Sequence, residues 1–456
     1  MTKLVVIGGS DAGISAALRA RELDPGCEVD LLVADRWPNF SICGLPYLIG
    51  GEVATVGSLA HRTADQIAQT GTRVHLQHTA TAIDPDRRVA TTRTPEGDER
   101  EFAYDALVIG TGAVPQRPPI AGLDLDGVHL LHTVDDALAV IDRLDTTAAT
   151  RAVIVGAGYI GLEMAESLRR RDLTVTLVER LPEVMPTVDP QIGARVRAEL
   201  MSNGVGVHTS TTVDGIAAGP DGLVVTTSAA EIPADLVLVV TGVRPDVALG
   251  ARLGLATGAG GALVVDDHMR TALPGVFAGG DCVHTHHRLL PEPIYMPLGS
   301  TAHKQGRVAG ENAIGGDRAF AGVLGTQVVK VFDLAIAGTG LRDATAPTDL
   351  YQPSTIEVTV DDHKRYYPGA VELTVRLCGD RDSGRLLGGQ IIGGLSGQVA
   401  KRIDILAAAI FNEMPVDALS DVDLSYTPPF SAPWDPVQAA AQAWTAEQRV
   451  ASTTSN

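Results

Sequence analysis

Short apolar runs that end in glycine turns recur along the chain, and two of them open the same series of elements. Leu4–Ile7 leads into a glycine loop at residues 8–13, a helical stretch rich in alanine and leucine, and a second apolar run, Val29–Ala34. The series recurs with Ala152–Val155, another glycine loop, a helical stretch and Val175–Val178. Continuous apolar runs of this length are typical of buried parallel strands. The pattern therefore predicts two β-α-β units.

Each predicted unit has a glycine loop before its helix and an acid after its second strand. Glycines there let the backbone turn sharply and approach a pyrophosphate at the helix N-terminus, and the acid accepts hydrogen bonds from ribose. A tight turn without a ligand is the alternative, and the complete β-α-β context of both loops disfavours it. The candidate nucleotide-binding residues are Gly8, Ser10 (in place of the middle glycine), Gly13, Asp35 and Arg36 in the first unit, and Gly156, Gly158, Tyr159, Ile160, Gly161 and Glu179 in the second.

The trailing acids also bear on which dinucleotide binds. An acid at the ribose position repels the 2′-phosphate of NADP, so Glu179 favours NADH over NADPH at the second unit. Arg180 follows it directly and keeps NADPH open. A solvated strand end is the alternative reading of either acid.

The remaining pattern places the other elements and marks a change of architecture near residue 326. The upstream elements are a hairpin at Val89–Arg100, strands at Tyr104–Ile109, Leu236–Val240 and Val276–Ala278, and a helix at residues 301–313. Alternating strands and one helix follow, at Gln327–Phe332, Thr355–Val360, Val371–Leu377, Leu386–Ile392 and Val399–Phe411. This C-terminal part lacks a glycine phosphate loop, and we expect an α+β domain that serves assembly or closes the site.

Composition excludes several classes of function. Lys and Arg total 36 against 55 Asp and Glu, which gives a net charge of −19. The sequence shows no basic patch of the kind that binds nucleic acid. No apolar stretch approaches the ~20 residues of a membrane span, and the N-terminus lacks a signal-peptide pattern. The four cysteines form no CxxC pair, which disfavours a disulfide framework or a metal site and favours a cytoplasmic location.

Cys43 is the candidate reactive thiol. It follows the first ribose acid, and Gly44-Leu45-Pro46 should open a helix directly after it. The positive end of a helix lowers a thiol pKa and favours the thiolate. A buried, inert cysteine is the alternative and is equally compatible with the position alone.

These motifs together resemble the pyridine nucleotide–disulfide oxidoreductase superfamily over about residues 1–440. The resemblance rests on both glycine loops, Tyr104–Gly112, Thr241–Pro245 and Ala278–Asp281. It implies that the first unit binds FAD, with Thr111 and Gly112 beside the flavin and Asp281 on the ribityl chain. The second unit would bind NAD(P)H, with Gly242 nearby.

The same resemblance implies an α/β fold with two Rossmann-like domains and a C-terminal α+β dimerisation domain. We expect a discontinuous FAD-binding domain at residues 1–115 and 245–322, an NAD(P)H-binding domain at 116–244 and a dimerisation domain at 323–445. Residues 446–456 end in polar residues and are expected to form a disordered tail.

One cysteine in place of a CxxxxC pair points to a branch of the superfamily. The segments Cys43–Tyr47, Met296–Leu298, Tyr366–Gly369 and Tyr426–Pro429 resemble coenzyme A-disulfide reductases, NADH oxidases and NADH peroxidases. In that branch the cysteine is the redox residue, and the C-terminal domain forms a homodimer that reaches the neighbour's site. The resemblance thus implies catalytic roles for Cys43, Tyr367 and Tyr426.

Three positions depart from the branch: Asp11 favours disulfide reduction over peroxide chemistry, whereas Ile42 and Phe430 leave the identity of the substrate open. Asp11 stands where the peroxidases and many oxidases carry a histidine, Ile42 replaces the usual asparagine, and Phe430 replaces a tyrosine of some coenzyme A-disulfide reductases. We therefore expect an FAD-dependent NAD(P)H oxidoreductase that reduces a small disulfide or persulfide, without nucleic-acid or membrane partners. The alternatives are an NADH oxidase that reduces O2 at the flavin, a reductase of an electron-carrier protein, and a redox sensor without turnover.

Overall fold

The computed structural model describes residues 1–454, with side chains described to residue 450, and forms two compact units. The first unit contains residues 1–149, 236–286 and 292–323, and the second contains 150–235, 287–291 and the chain from 324 onward. Both mix helices and strands, as expected for the predicted α/β architecture. The boundaries of the three predicted domains stay predictions.

The first unit is built on a parallel sheet whose strands are mostly buried, except for the edge strand Thr72–His75. In spatial order the strands are Val276–Ala278, Ala106–Ile109, Lys3–Ile7, Glu28–Leu32 and Thr72–His75. The strands Val276–Ala278, Ala106–Ile109 and Lys3–Ile7 contain apolar runs without alternation, which are typical of a sheet that is covered on both faces. The predicted strands at the N-terminus, at Tyr104–Ile109 and at Val276–Ala278 are confirmed.

Two helices of this unit, Asp11–Leu23 and Gly299–Ala313, pack unusually closely. A Cβ on Gly306 would lie 2.2 Å from the carbonyl oxygen of Ala12, and one on Gly310 would lie 2.2 Å from that of Ala16. Glycine at these positions therefore lets the two helix backbones touch. The contact carries side chains of the second helix to the first glycine loop.

Smaller elements complete the first unit. An antiparallel sheet contains the predicted hairpin, and its strands are Thr79–Asp84, Val89–Arg93 and Glu99–Ala103. Ala113–Pro115 pairs with Val243–Pro245 in antiparallel orientation. Val128–Leu130 pairs with Leu236–Val239 in parallel orientation. The remaining helices are Leu45–Ile49, Ala64–Ala68, Val134–Thr146 and Ala248–Arg252, with 3-10 turns at Ile42–Gly44, Val56–Leu59 and Ala259–Gly261.

The second unit begins with the predicted second β-α-β series. Its parallel strands are Arg151–Val155, Thr174–Val178 and Gly206–His208, and its helices are Tyr159–Arg170 and Pro190–Ser202. An antiparallel sheet of Val213–Gly219, Gly222–Thr227 and Glu231–Ala234 follows.

The C-terminal part of this unit is an antiparallel sheet covered by helices. In spatial order its strands are Gln327–Val331, Leu334–Gly340, Leu386–Gly394, Glu372–Asp380 and Pro353–Asp361. The helices are Val399–Phe411, Val416–Ser420 and Pro436–Thr454, with a 3-10 turn at Leu395–Gly397. The sequence did not predict Leu334–Gly340, because its small residues lack the alternation of a half-buried strand. None of the described helices combines the length and apolar character of a membrane span.

The last helix corrects the prediction of a disordered tail. Residues 446–454 continue the helix Pro436–Thr454, and residues 455–456 lie outside the described residues. Val437, Ala440, Ala441 and Trp444 form a buried stripe that anchors this helix. Residues 446–454 therefore extend a helix that is anchored upstream.

Candidate active site

The first glycine loop brings two backbone segments into direct contact. Gly8 has φ of +118°, and a Cβ there would lie 2.0 Å from the carbonyl oxygen of Gly110. A Cβ on Gly13 would lie 1.9 Å from the carbonyl oxygen of Gly8. Both positions require glycine, because a side chain would overlap backbone atoms. Ser10 is the N-cap of the helix Asp11–Leu23 and makes no side-chain capping bond, which leaves its exposed hydroxyl accessible to a ligand.

Asp35 and Arg36 follow the second strand of this unit. The backbone amide of Trp37 donates to Asp35 Oδ1 at 2.7 Å. Asp35 is exposed, but loss of hydration around its carboxylate raises its pKa; the Trp37 amide opposes that shift, and the charge of Asp135 adds to it. Arg36 donates to Asp135 at 2.9 Å and lies over the Trp37 ring, so its predicted contact with a cofactor stays a prediction.

Thr111 and Gly112 form a fixed turn at the end of the neighbouring strand. Thr111 Oγ1 donates to the carbonyl oxygen of Asp246 at 2.6 Å, and the Asp246 amide donates to that of Gly112 at 2.9 Å. Gly112 has φ of +72°, and a Cβ there would meet no heavy atom within 4 Å. The turn therefore borders open space.

Asp281 follows the strand Val276–Ala278, which pairs with the strand that leads into that turn. Burial raises its pKa to about 6, and the charge of Asp11 adds to the shift. Hydroxyl donors of a ligand would stabilise the ionised form of such a carboxylate. The glycine-lined loop, the open space at Gly112 and this buried acid fit the pyrophosphate, flavin and ribityl parts of FAD.

Cys43 is presented on a short helical segment tied to the first glycine loop. It lies in the 3-10 turn Ile42–Gly44, which leads into the predicted helix, Leu45–Ile49. That helix has five residues, so its dipole acts on the thiol less strongly than a long helix would. The Asn39 amide donates to the Gly9 carbonyl oxygen at 2.8 Å and fixes the segment beside the loop.

The exposure of the four cysteines distinguishes Cys43 from the others. Its thiol is exposed, whereas Cys27, Cys282 and Cys378 are buried. Burial raises the pKa of Cys282, and it raises that of Cys378 to about 12, which keeps both thiols protonated at neutral pH. Cys43 is therefore the thiol that a substrate can reach, and its redox role stays a prediction.

A cavity of about 560 Å³ lies beside the cysteine segment, lined by Asn39, His61, Arg62, Gln66 and His303. Backbone hydrogen bonds join the cysteine segment to the segment before His61, including one from the Ser41 amide to the Leu59 carbonyl oxygen at 2.9 Å. Asn39 is only 1% exposed, and its Oδ1 has no hydrogen-bond partner in the described part of the chain. The cavity thus offers polar and basic side chains to a ligand.

His303 is held by two residues of the first helix. Ser15 Oγ lies 2.8 Å from His303 Nδ1, and Asp11 Oδ1 lies 3.2 Å from its Nε2. The bond with Asp11 raises the pKa of His303, against the opposing effects of partial burial and the charge of Arg62. His303 therefore keeps its positive charge to a higher pH than an ordinary histidine.

Sequence reasoning missed this basic cavity. Its residues come from three distant segments, and no cluster of basic residues near Cys43 marks it in the sequence. The histidine is 288 residues from Ser15, and only the packing of the two helices brings them together.

The second glycine loop is open where a pyrophosphate would approach. Gly158 is the N-cap of the helix Tyr159–Arg170, with φ −78° and ψ −173°, values open to any residue. A Cβ there would meet no heavy atom within 4 Å, so no described protein contact requires this glycine, whereas a dinucleotide would. Gly156 has φ of +107°, and Ile160 and the buried Gly161 lie in the first helical turn.

Glu179 and Tyr159 are fixed around this loop. Glu179 is 7% exposed and accepts hydrogen bonds from the amides of Ala157 at 2.8 Å and Leu181 at 2.9 Å. The alternative reading of a solvated strand end is therefore wrong for Glu179. Tyr159 bonds Thr187 Oγ1 at 2.6 Å, and burial raises its pKa to about 12.

Gly242 lies in a turn of the first unit. It has φ of +104°, and its carbonyl oxygen accepts the amide of Gln116 at 2.9 Å. The neighbouring Thr241 Oγ1 is buried without a hydrogen-bond partner among the described residues. A hydroxyl of a bound nucleotide would satisfy it.

The predicted tyrosines are exposed on loops of the C-terminal part, Tyr367 between two strands of its sheet and Tyr426 between its last two helices. Tyr367 and Tyr426 are each 44% exposed, and the ring of Tyr367 lies edge-on to His363 at 5.8 Å. Loss of hydration and then a hydrogen bond with Tyr426 raise the pKa of Tyr366. Tyr366, which was not among the predicted site residues, thus lies close to Tyr426.

The fold and the two glycine-loop sites define an FAD- and NAD(P)H-dependent oxidoreductase. The family model described as pyridine nucleotide-disulphide oxidoreductase matches residues 2–306, and that of its dimerisation domain matches residues 326–436. The chain therefore belongs to the pyridine nucleotide-disulphide oxidoreductase family.

Individual relatives match over nearly the whole chain. The NAD(P)H sulfur oxidoreductase (CoA-dependent) of Pyrococcus furiosus is 34% identical over 439 residues, 95% of this chain and 97% of the relative. The coenzyme A disulfide reductase of Staphylococcus haemolyticus is 30% identical over 438 residues, 95% and 97% of the two chains. The solved NAD-dependent persulfide reductase from A. fulgidus has a TM-score of 0.94 and 37% identity, covering 98% of this chain and 84% of that one.

Proposed function

We propose that the protein uses NAD(P)H and FAD to reduce a small-molecule disulfide or persulfide through Cys43. One observation carries this proposal: the exposed cysteine is the one fixed beside the first glycine loop and the basic cavity. A structural cysteine would not need that exposure. The names of the matched relatives support the same chemistry.

The reaction consumes one NAD(P)H and one proton for each disulfide, RSSR, and yields NAD(P)⁺ and two thiols. The Cys43 thiolate attacks one sulfur, forms a Cys43–S–S–R bond and releases a thiolate, which takes a proton. Two electrons that originate from NAD(P)H then cleave this bond, which restores the thiolate and releases the second thiol. FAD, when bound, supplies the two-electron chemistry that connects the nucleotide with sulfur.

The cavity supports a thiol that carries an anionic group, such as coenzyme A. His303, Arg62 and His61 provide positive or protonatable groups. Phosphate is stabilised by such groups. The chain of a bound thiol could then reach the exposed Cys43 from the adjacent cavity.

We further propose that two copies form a homodimer in the reducing cytoplasm. The matched dimerisation domain supports this assembly. In it, the exposed Tyr367 and Tyr426 of one copy would act at Cys43 of the other, and a tyrosine hydroxyl would give its proton to the departing thiolate.

Anaerobic titration tests the proposed function. Purified enzyme with FAD is reduced with NADH and then mixed with coenzyme A disulfide while the flavin spectrum and released thiol are measured. We expect reoxidation with two thiols released per NADH. Reoxidation by O2 or a carrier protein alone would instead identify an oxidase or an electron-transfer reductase.

Asp11 should set the pH range over which the cavity binds an anionic substrate. Because Asp11 raises the pKa of His303, the histidine stays protonated at low pH and loses its charge as pH rises through that raised value. The KM for coenzyme A disulfide should therefore rise with pH, and Asp11→Asn should move this rise to lower pH. The control substrate is a disulfide that keeps the thiol-bearing arm of coenzyme A but lacks its phosphate groups. Its KM should show no such shift.

Glu179→Gln should weaken the discrimination against NADPH. The substitution removes the charge that would repel a 2′-phosphate and keeps an oxygen that can accept one of the two backbone amides. We expect the kcat/KM ratio of NADPH to NADH to rise roughly tenfold, which corresponds to about 1.4 kcal/mol. Asp35→Asn is the matched control and should leave the ratio unchanged. An unchanged ratio in Glu179→Gln would remove this residue as the selector.

A further inference from the structure

Two loops of the C-terminal part carry the exposed tyrosines and lack helix or strand. These tyrosine loops are residues 362–371, with Tyr366 and Tyr367, and residues 421–435, with Tyr426. Backbone without a helix or sheet ladder needs other hydrogen-bond partners to hold one conformation. The position of the tyrosine hydroxyls therefore depends on what fixes these loops.

One buried arginine binds both loops. Arg402 lies on the helix Val399–Phe411 and is 4% exposed. Its Nη2 donates to the carbonyl oxygens of Asp362 at 2.7 Å and Phe430 at 3.4 Å, and its Nη1 donates to that of Gly397. The guanidinium thus spans the start of the first tyrosine loop and the segment just after Tyr426.

A buried carboxylate balances the charge of this arginine. Asp435 is 7% exposed and accepts Arg402 Nε at 3.1 and 3.3 Å. The same carboxylate accepts the Ser431 hydroxyl at 2.9 Å and the Val437 amide at 3.2 Å. The second tyrosine loop is therefore fastened to the arginine through both a carbonyl and a side chain.

The first loop extends this network to a tyrosine ring. The Asp362 carboxylate accepts the Val371 amide at 2.9 Å and pairs with His363 Nδ1 at 2.9 Å. His363 in turn packs against the Tyr367 ring. The hydrogen bond from Arg402 to the Asp362 carbonyl oxygen thus holds Asp362 in place. Asp362 in turn positions His363, and His363 positions the Tyr367 ring.

We propose that Arg402 is a positioning residue that holds the two tyrosine loops in the arrangement needed for proton transfer to the departing thiolate. This inference rests on the proposed role of the tyrosines in disulfide reduction. The planar fork of arginine reaches several acceptors at once, which the single ammonium of lysine cannot do. The hydroxyl that gives up its proton recovers one from solvent in each turnover.

The test compares Arg402→Lys with the wild type on two disulfides. Coenzyme A disulfide releases a basic alkyl thiolate that needs a proton, whereas an aryl disulfide releases a stable thiolate that does not. We expect kcat with coenzyme A disulfide to fall about tenfold to hundredfold, because small misplacements of a catalytic group have such effects. With the aryl disulfide kcat should fall less than about threefold.

Three further measurements separate positioning from general damage. Arg376→Lys is the matched control, since Arg376 is another arginine of the C-terminal part that binds more than one acceptor, Asp189 at 2.8 Å and Glu357 at 2.7 Å. It should lose stability without changing the ratio of the two kcat values. Flavin reduction by NADH alone should be unchanged in Arg402→Lys. Fluorine NMR of fluorotyrosine-labelled protein should show altered Tyr367 and Tyr426 signals in this variant.

The outcomes are distinct for the two proposals. Equal losses on both disulfides, or no loss, would overturn the role of Arg402. If Arg402→Lys does not fold, Asp435→Asn, which keeps the arginine and nearly the same shape, must show the same selectivity for the alkyl disulfide. If Tyr367→Phe and Tyr426→Phe leave both reactions unchanged, the proposed role of the tyrosines fails, while a wild type inactive on disulfides contradicts the proposed function itself.

Discussion

Cys43→Ser is expected to abolish disulfide reduction, with a loss of at least about 1,000-fold in kcat, because a hydroxyl cannot form the mixed disulfide. The exposed side chain contributes little to packing, so stability and the binding of FAD and NAD(P)H should be preserved. Flavin reduction by NADH should therefore continue while thiol release stops. Steady-state thiol assays and anaerobic flavin spectra measure the two effects separately.

The matched control for this variant is Cys27→Ser, which changes a buried thiol directly before the strand Glu28–Leu32. It should keep the rate of disulfide reduction even if it costs stability. If Cys43→Ser and wild type instead reduce disulfides equally well, the proposed redox role of Cys43 is wrong. If both are reoxidised only by O2 or a carrier protein, Cys43 is structural and the reductase proposal itself is wrong.

Gly13→Ala is expected to destabilise the first unit by roughly 3 kcal/mol and to impair FAD binding. The added Cβ would lie 1.9 Å from the carbonyl oxygen of Gly8, far inside any contact distance. The overlap is with backbone, so a rotamer change cannot relieve it, and the glycine loop has to move. Denaturant unfolding and the FAD content of purified protein measure the two consequences.

Gly158→Ala is the control, because it adds the same methyl group to the second glycine loop, where no heavy atom lies within 4 Å. Its stability and FAD content should match the wild type, while the Kd for NAD(P)H should rise because the methyl group occupies space that the pyrophosphate needs. A stable, FAD-replete Gly13→Ala protein would contradict the close approach at Gly8.

The local order of elements could be predicted from the sequence. Leu4–Ile7, Ala152–Val155 and Val276–Ala278 all fall in buried strands, and the helix Val399–Phe411 was placed with its observed bounds. These predictions depend on runs and spacings of a few residues, which local geometry converts directly into strands, turns and helices. The strand Leu334–Gly340 escaped prediction because its small residues carry no such period.

Both nucleotide loops were found from the sequence for the same reason, since each motif lies within a single β-α-β unit. Glu179 was also identified from the motif. The motif did not predict that its carboxylate accepts hydrogen bonds from the amides of Ala157 and Leu181, or that these bonds keep it buried. Spacing identified the residue, and the packed loop decided its environment.

The sequence by itself thus determined the two β-α-β units, their glycine loops and the family to which the chain belongs, because these features are written in short-range patterns. The tertiary structure alone decided which cysteine is exposed, that Asp11 and Ser15 hold His303 beside a basic cavity, and that Arg402 joins the two tyrosine loops. Those contacts join residues far apart in the chain, including the 288 positions between Ser15 and His303. No local sequence pattern predicts these contacts, because they form only when separate helices and loops pack together.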